Sequence, residues 1–119
     1  LLRSKENSET MESKAEIIKI EDIKKRSRHI FESSDFVEEA YLFGSYARGE
    51  ATPESDIDFM IVLSRRVGLD FFGLYHFLSE EFDKKVDVIT EREALEIMPE
   101  SIERDKIKIY ERKTDEPEL

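Results

Sequence analysis

The stretch that decides the fold is residues 42–58, which read LFGSYARGEATPESDID. The run that leads into it, Phe36–Phe43, is typical of a strand and stops at Gly44. Asp56–Leu63 then places an apolar residue at every second position, which indicates another strand with one buried face. Between the two, Tyr46–Arg48 can form a short helix that a loop follows. We therefore expect a strand, a short helix, a loop and a strand in this order.

Two carboxylates open the second predicted strand. Asp56 and Asp58 are two residues apart, so their side chains project from the same face of a strand. Placing two anions side by side is unfavourable unless a cation lies between them. Magnesium in proteins is commonly bound by one or two carboxylates together with substrate phosphates. Two such ions would position a nucleotide and stabilise the attacking and leaving oxygens of an in-line displacement.

The residues between the strands have features of a phosphate site. Gly44 allows a phosphate to approach the backbone closely, and the amides after it, with the Ser45 hydroxyl, could hold triphosphate oxygens at a helix start. Arg48 could neutralise phosphate charge from the same turn. Asp87 lies on a separate predicted strand, where it could bind a metal or accept the proton of an acceptor hydroxyl.

Each of these residues also has an ordinary structural interpretation. Gly44-Ser45 alone is typical of a turn with a helix cap. An Asp-x-Asp pair such as Asp56 and Asp58 is, alone, typical of a solvated strand face. Arg48 could be a surface cation and Asp87 a surface carboxylate. The combination of all of them at this spacing favours a metal and nucleotide site.

The combination resembles the signature of the DNA polymerase beta-like nucleotidyltransferase superfamily. Gly44-Ser45, ten intervening residues and then Asp56-x-Asp58 match that signature. The flanking Ala47-Arg48-Gly49 and Ser55 resemble its minimal nucleotidyltransferase branch. Val86-Asp87-Val88 is similar to the strand that carries the family's third catalytic aspartate. The resemblance extends over roughly residues 16–110.

The resemblance implies a small nucleotidyltransferase with a polymerase beta palm-like fold. Such an enzyme transfers a nucleoside monophosphate from a nucleoside triphosphate to a hydroxyl acceptor and releases pyrophosphate. AMP from ATP is the case that we favour here. Asp56, Asp58 and Asp87 would be catalytic and would hold two Mg²⁺ ions, and Gly44, Ser45 and Arg48 would bind the nucleotide. Members of this branch often act as antitoxins of a helical HEPN-type ribonuclease toxin, in some cases by adding AMP to a toxin tyrosine.

Two alternatives to this enzyme stay open. The chain could be an antitoxin that neutralises its partner by docking alone, with a site that is little used. It could also be a homodimeric nucleotidyltransferase that holds a small molecule across two subunits.

The rest of the chain predicts an α/β fold, with a small mixed sheet of about three or four strands backed by helices and the site on an open sheet face. Isoleucines at helical spacing predict a helix over about residues 13–32. A strand is expected over 85–90, then a helix from Glu91 that breaks at Pro99, and a strand over 106–110. The helix before the third strand should bury one face, formed by Phe71, Leu74, Tyr75, Leu78 and Phe82.

Length and charge restrict the possible functions. The 119 residues fit one domain, which we expect over 13–112, with a loose arm or artificial extension over 1–12 and an acidic tail over 113–119. The net charge of −10 argues against binding duplex nucleic acid, and the lack of cysteine excludes thiolate metal sites. No apolar run approaches the roughly 20 residues of a membrane span, and no secretion signal is recognisable, so we expect a cytoplasmic protein.

Two histidines and two phenylalanines remain. His29 and His76 have no histidine or cysteine at ligand spacing, so we interpret both as structural. The stretch around the third helix has more aromatic residues than one buried face requires. Phe72 and Phe77 are therefore candidates for an exposed contact with a partner or a second copy.

Overall fold

In a computed structural model, which describes residues 16–113, helices and strands follow one another with short connections. The elements are α1 (Ile20–Ser33), β1 (Val37–Phe43), α2 (Gly44–Arg48), β2 (Ile57–Leu63), α3 (Asp70–Phe82), β3 (Val86–Thr90), α4 (Glu91–Ile97), α5 (Pro99–Asp105) and β4 (Ile107–Glu111). The expected arm over 1–12 and all but Lys113 of the expected tail lie outside the described residues. Within 16–113, no helix has the length and apolar content needed to cross a membrane.

The described strands form one sheet in the order β3-β2-β1-β4. β1 pairs antiparallel with β2 and with β4, whereas β2 pairs parallel with β3. A parallel pair needs a crossover connection, which α3 provides here. The sheet is thus mixed and four-stranded, and the predicted α/β fold class is confirmed.

The main core lies between the sheet and the helices α1 and α3. Ile57, Phe59 and Ile61 of β2 are completely buried, as the alternation in the sequence predicts. Phe59 makes an edge-to-face contact with Phe31 of α1, at 6.0 Å between ring centroids, and packs on Phe82 of α3 at 6.2 Å. These aromatic contacts fix both helices on the same face of the sheet.

The opposite face of the sheet is only partly open. Phe43 and Met60 form a small buried cluster there with Ala94 of α4 and Ile102 of α5. Met60 projects from the same face as Asp58, and burying it requires a cover. The prediction of an open sheet face was therefore wrong for the part under these two helices, which leave the Asp58 end of the strand accessible.

The helix boundaries follow local signals. Thr90 and Glu93 form a capping box at the start of α4, since each side chain bonds the other's backbone amide. Pro99 begins α5, so the predicted break at this residue is confirmed. Tyr75 was predicted on the buried face of α3 but is 42% exposed, because it lies at the edge of a narrow buried stripe. Ile17 was predicted in the first helix, but it precedes α1 and is exposed.

Arg112 joins the end of the sheet to the end of α1. Its Nε donates a hydrogen bond to the carbonyl oxygen of Val37, and its Nη2 donates to the carbonyl oxygens of Phe31 and Ser34, each at 2.9 Å. These carbonyls lie where α1 ends and β1 begins. A guanidinium with several donors is well suited to satisfy several carbonyls in one place.

Candidate active site

The sheet register brings the three predicted carboxylates to one place. Asp58 lies opposite Phe43 of β1 on one side and opposite Asp87 of β3 on the other. Residues paired across neighbouring strands project from the same face, so the Asp58 and Asp87 side chains are neighbours. Asp56 comes two residues earlier, directly before β2. The parallel pairing of β2 and β3 therefore collects all three aspartates at one end of the sheet.

A single cavity of about 500 Å³ contains every predicted site residue. It is lined by the six residues singled out in the sequence and by four others. The six predicted residues are Gly44, Ser45, Arg48, Asp56, Asp58 and Asp87, and the four others are Phe43, Met98, Ser101 and Ile102.

The carboxyl of Asp58 has a perturbed pKa. Burial, together with the negative charges of Asp87 and Asp56, raises its pKa from 3.8 to about 6. Arg48 and Lys85 act in the opposite direction. The ionised form of Asp58 is thus disfavoured in the free protein, and a cation bound beside it would favour that form.

The other two aspartates differ in their surroundings. Asp87 is exposed on β3, which is an edge strand of the sheet. Asp56 is partly buried, and its Oδ2 lies 3.6 Å from Nζ of Lys85. Lys85 was not predicted as part of the site, and it partly balances the charge of the cluster.

Two glycines determine the shape of the turn between β1 and β2. Gly44 has a φ of +73°, and a Cβ at this position would collide with Oδ2 of Asp58. The backbone of Gly44 therefore lies directly against the carboxylate, and only glycine fits. Gly49 has a φ of +74° and ends α2 in the left-handed conformation. The short helix is thus fixed at both ends, with Ser45 and Arg48 beside the cavity.

Arg48 lies between the cavity and two acidic residues. Its Nε donates a hydrogen bond to Oε1 of Glu50 at 2.9 Å, and its Nη1 lies 3.9 Å from Oδ2 of Asp105. The hydrogen bond to Glu50 raises the pKa of the guanidinium above its usual value. Arg48 is therefore a cation held beside the carboxylates and available to an anionic ligand.

The wall formed by α5 was not predicted as part of the site. Met98 precedes this helix, and Ser101 and Ile102 lie on it. Together with Asp105 they recur at spacings of three or four residues, which places them on one helix face. That spacing is visible in the sequence, but it does not indicate what the face packs against.

The donor atoms fit a metal ion that is shared with a substrate. Among residues 16–113, no group of three or more histidine, cysteine or acidic side chains is arranged to hold a metal by itself. Magnesium does not require such a cage, since it keeps water molecules and binds one or two carboxylates plus phosphate oxygens. A pair of carboxylates such as Asp58 and Asp56, in a cavity of about 500 Å³, meets that requirement.

Comparisons with known proteins found a matching family and related proteins. The sequence model of the family described as "Polymerase beta, Nucleotidyltransferase" matches residues 21–115. A protein of Methanocaldococcus jannaschii that is named as a candidate protein adenylyltransferase is 36% identical over 76 residues, which are 61% of this chain and 76% of that protein. Another of the same description and organism is 34% identical over 92 residues, which are 76% of this chain and 94% of that protein.

Solved structures share the fold at low sequence identity. A toxin-antitoxin complex with AMP-PNP has a chain that superposes with a TM-score of 0.65 at 20% identity, over 77% of this chain and 76% of that chain. A complex of a tri-AMPylated HEPN toxin with an MNT antitoxin, from Shewanella oneidensis, gives a TM-score of 0.61 at 17% identity, over 77% and 72%. The motif, the sheet and the extent of the family match lead to one conclusion: this chain belongs to the polymerase beta nucleotidyltransferase family.

Proposed function

We propose that this chain transfers AMP from ATP to a hydroxyl group of a partner protein, as an antitoxin of a HEPN-type toxin. The observation that carries the proposal is the cavity, which contains Gly44, Ser45 and Arg48 next to Asp56, Asp58 and Asp87. A phosphate-binding turn beside a carboxylate cluster is the arrangement that nucleotidyl transfer requires.

Each group of residues has a separate role in the proposed reaction. Gly44 and Ser45 bind triphosphate oxygens, and Arg48 neutralises part of their charge. Asp56 and Asp58 would hold the metal ions, which would neutralise charge on the attacking and leaving oxygens. Bound cations would also offset the negative charges of Asp87 and Asp56, which together with burial raise the pKa of Asp58.

The transfer step balances without a further reactant. The acceptor oxygen forms a bond to the α-phosphorus of ATP, and the bond from this phosphorus to the oxygen bridging to the β-phosphate breaks. Pyrophosphate leaves with that oxygen. Asp87, which is exposed at the cavity, accepts the proton of the acceptor hydroxyl.

A protein acceptor is favoured by the surface next to the cavity. Leu95, Ile97 and Met98 are exposed apolar side chains of α4 and its end, and Met98 lines the cavity itself. An apolar rim of this kind suits contact with another protein better than contact with a small polar acceptor. The related proteins named as candidate protein adenylyltransferases and the AMPylated toxin of the similar complex support the same choice.

The proposal is tested in two steps. Calorimetric titration with ATP, with and without Mg²⁺, should show magnesium-dependent binding to the wild type that is lost in Asp56→Asn. Incubation of the wild type with a HEPN-type partner and radiolabelled ATP should then transfer label to the partner, and Asp58→Asn should not. Full transfer by Asp58→Asn would refute the assignment. Binding without any transfer would favour the docking antitoxin, and transfer only to a small molecule would favour the homodimeric enzyme.

A further inference from the structure

One buried carboxylate oxygen at the end of α5, near Arg48 of the cavity, lacks a hydrogen bond. Asp105 is the last residue of α5, and only 15% of its side chain is exposed. Its Oδ1 accepts a hydrogen bond from Nε of Arg104 at 3.1 Å. Its Oδ2 is buried and has no hydrogen-bond partner among the described residues. A buried carboxylate oxygen without a hydrogen bond lowers the stability of the fold, so we expect a hydrogen-bond donor to bind it in some state of the protein.

Arg48 is the cation that faces this oxygen. Its Nη1 is 3.9 Å from Oδ2 of Asp105, which is close enough for attraction and too far for a hydrogen bond. The hydrogen bond of Arg48 goes instead to Glu50, whose side chain is 65% exposed. An exposed pair of this kind is weak and easily exchanged. Arg48 thus has a weak partner at the surface and an unsatisfied one at the end of α5.

We infer that Asp105 is a positioning residue that holds Arg48 against the cavity when nucleotide phosphates bind. In that state Arg48 leaves Glu50, donates one hydrogen bond to Oδ2 of Asp105 and others to the phosphates. A guanidinium has five N–H donors, so it can serve both at once. This inference rests on the proposed function, because it takes the triphosphate of ATP as the ligand.

The same contact connects two walls of the cavity. Arg48 ends α2, which carries the phosphate-binding turn, and Asp105 ends α5, which carries Ser101 and Ile102. A hydrogen bond between Arg48 and Asp105 would therefore fix α5 when the nucleotide binds. The wall beside the apolar rim of the cavity would become more rigid at the moment when the acceptor has to be bound.

Calorimetry of the full chain with ATP and Mg²⁺ tests the inference through a double-mutant cycle. Asp105→Asn keeps the shape of the side chain and removes its charge, and we expect it to weaken ATP binding about five- to tenfold. In an Arg48→Ala background the same substitution should cause no further loss, because its effect passes through Arg48. Asp105→Glu should retain part of the affinity. Glu100→Gln is the matched control, because Glu100 is an exposed acid of the same helix, and we expect it to leave ATP affinity unchanged.

The outcomes separate this inference from the proposed function. A wild type that does not bind ATP would overturn both. A wild type that binds ATP, together with an Asp105→Asn variant of equal affinity, would overturn the inference alone. An equal loss with and without Arg48 would also overturn it, since Asp105 would then act by another route. If Asp105→Asn does not fold, as judged by circular dichroism, Asp105→Glu and Asp105→Ser replace it in the same cycle.

Discussion

Replacing Asp58 with Asn should stabilise the fold at neutral pH. The pKa of Asp58 is about 6 in the folded protein, against 3.8 for an unperturbed aspartate. Between these values the folded protein binds more protons than the unfolded chain, so the free energy of unfolding falls as the pH rises through this window. The full difference would correspond to about 3 kcal/mol. Because the side chain is only half-buried and solvent screens its charge, we expect about 1 kcal/mol.

Urea unfolding from about pH 4 to about pH 7.5, in the presence of a chelator, measures this effect. The variant and the wild type should be equally stable at the acidic end, where Asp58 is protonated, and should diverge as the pH rises above the unperturbed value. Glu80→Gln is the control for net charge, because Glu80 is exposed on α3, on the opposite face of the sheet. A gain that does not change with pH, or an equal gain in Glu80→Gln, would refute the reasoning.

Three further predictions concern the turn, the core and the exposed aromatic residues. Gly44→Ala should lower the free energy of unfolding by more than about 1 kcal/mol and abolish ATP binding in calorimetry, because Gly44 has a positive φ and a Cβ there would meet a carboxylate. Gly68→Ala is the control and should have neither effect, since a Cβ at this position meets open space. Phe59→Ala should cost about 3–5 kcal/mol in urea unfolding, since this completely buried ring contacts both helices; a cost below about 1 kcal/mol would contradict the described core. The side chains of Phe72 and Phe77 are 68% and 58% exposed, so Phe72→Ala and Phe77→Ala should change the free energy of unfolding by less than about 0.5 kcal/mol. Both variants should weaken binding of a protein partner in pull-down experiments. Partner binding equal to that of the wild type would count against a contact at this surface.

The local part of the site could be predicted from the sequence because it depends on short-range patterns. Alternation in β2 determines which residues face the core, and therefore places Asp56 and Asp58 on the other side. Gly44 between a strand and a short helix indicates a turn with unusual backbone geometry. Asp56 beside Asp58 predicts repulsion between like charges, which adds to burial, the larger cause, in raising the pKa of Asp58.

The long-range part of the site could not be predicted in the same way. The position of Asp87 beside Asp58 depends on the parallel register of β2 and β3. This register is determined by the crossover connection between the two strands, and no local sequence pattern predicts it. The covering of the second sheet face by α4 and α5 depends on Met60 and Ile102, whose partners are distant in the sequence. Asp105 comes close to Arg48 only through that packing.

The contacts of Arg112 have a consequence for synthesis of the protein. β1 is an inner strand of the sheet, and one of its two edges pairs with β4. Arg112 donates hydrogen bonds to carbonyl oxygens of residues that precede it by 75 to 81 positions in the sequence. Until the ribosome has released residues 107–112, a nascent chain has an unpaired inner strand and an unsatisfied end of α1. α5 immediately precedes this segment, so the last wall of the cavity emerges only shortly before it. The fold and the candidate site are therefore completed at nearly the same point of synthesis, when residues 99–112 have left the ribosome.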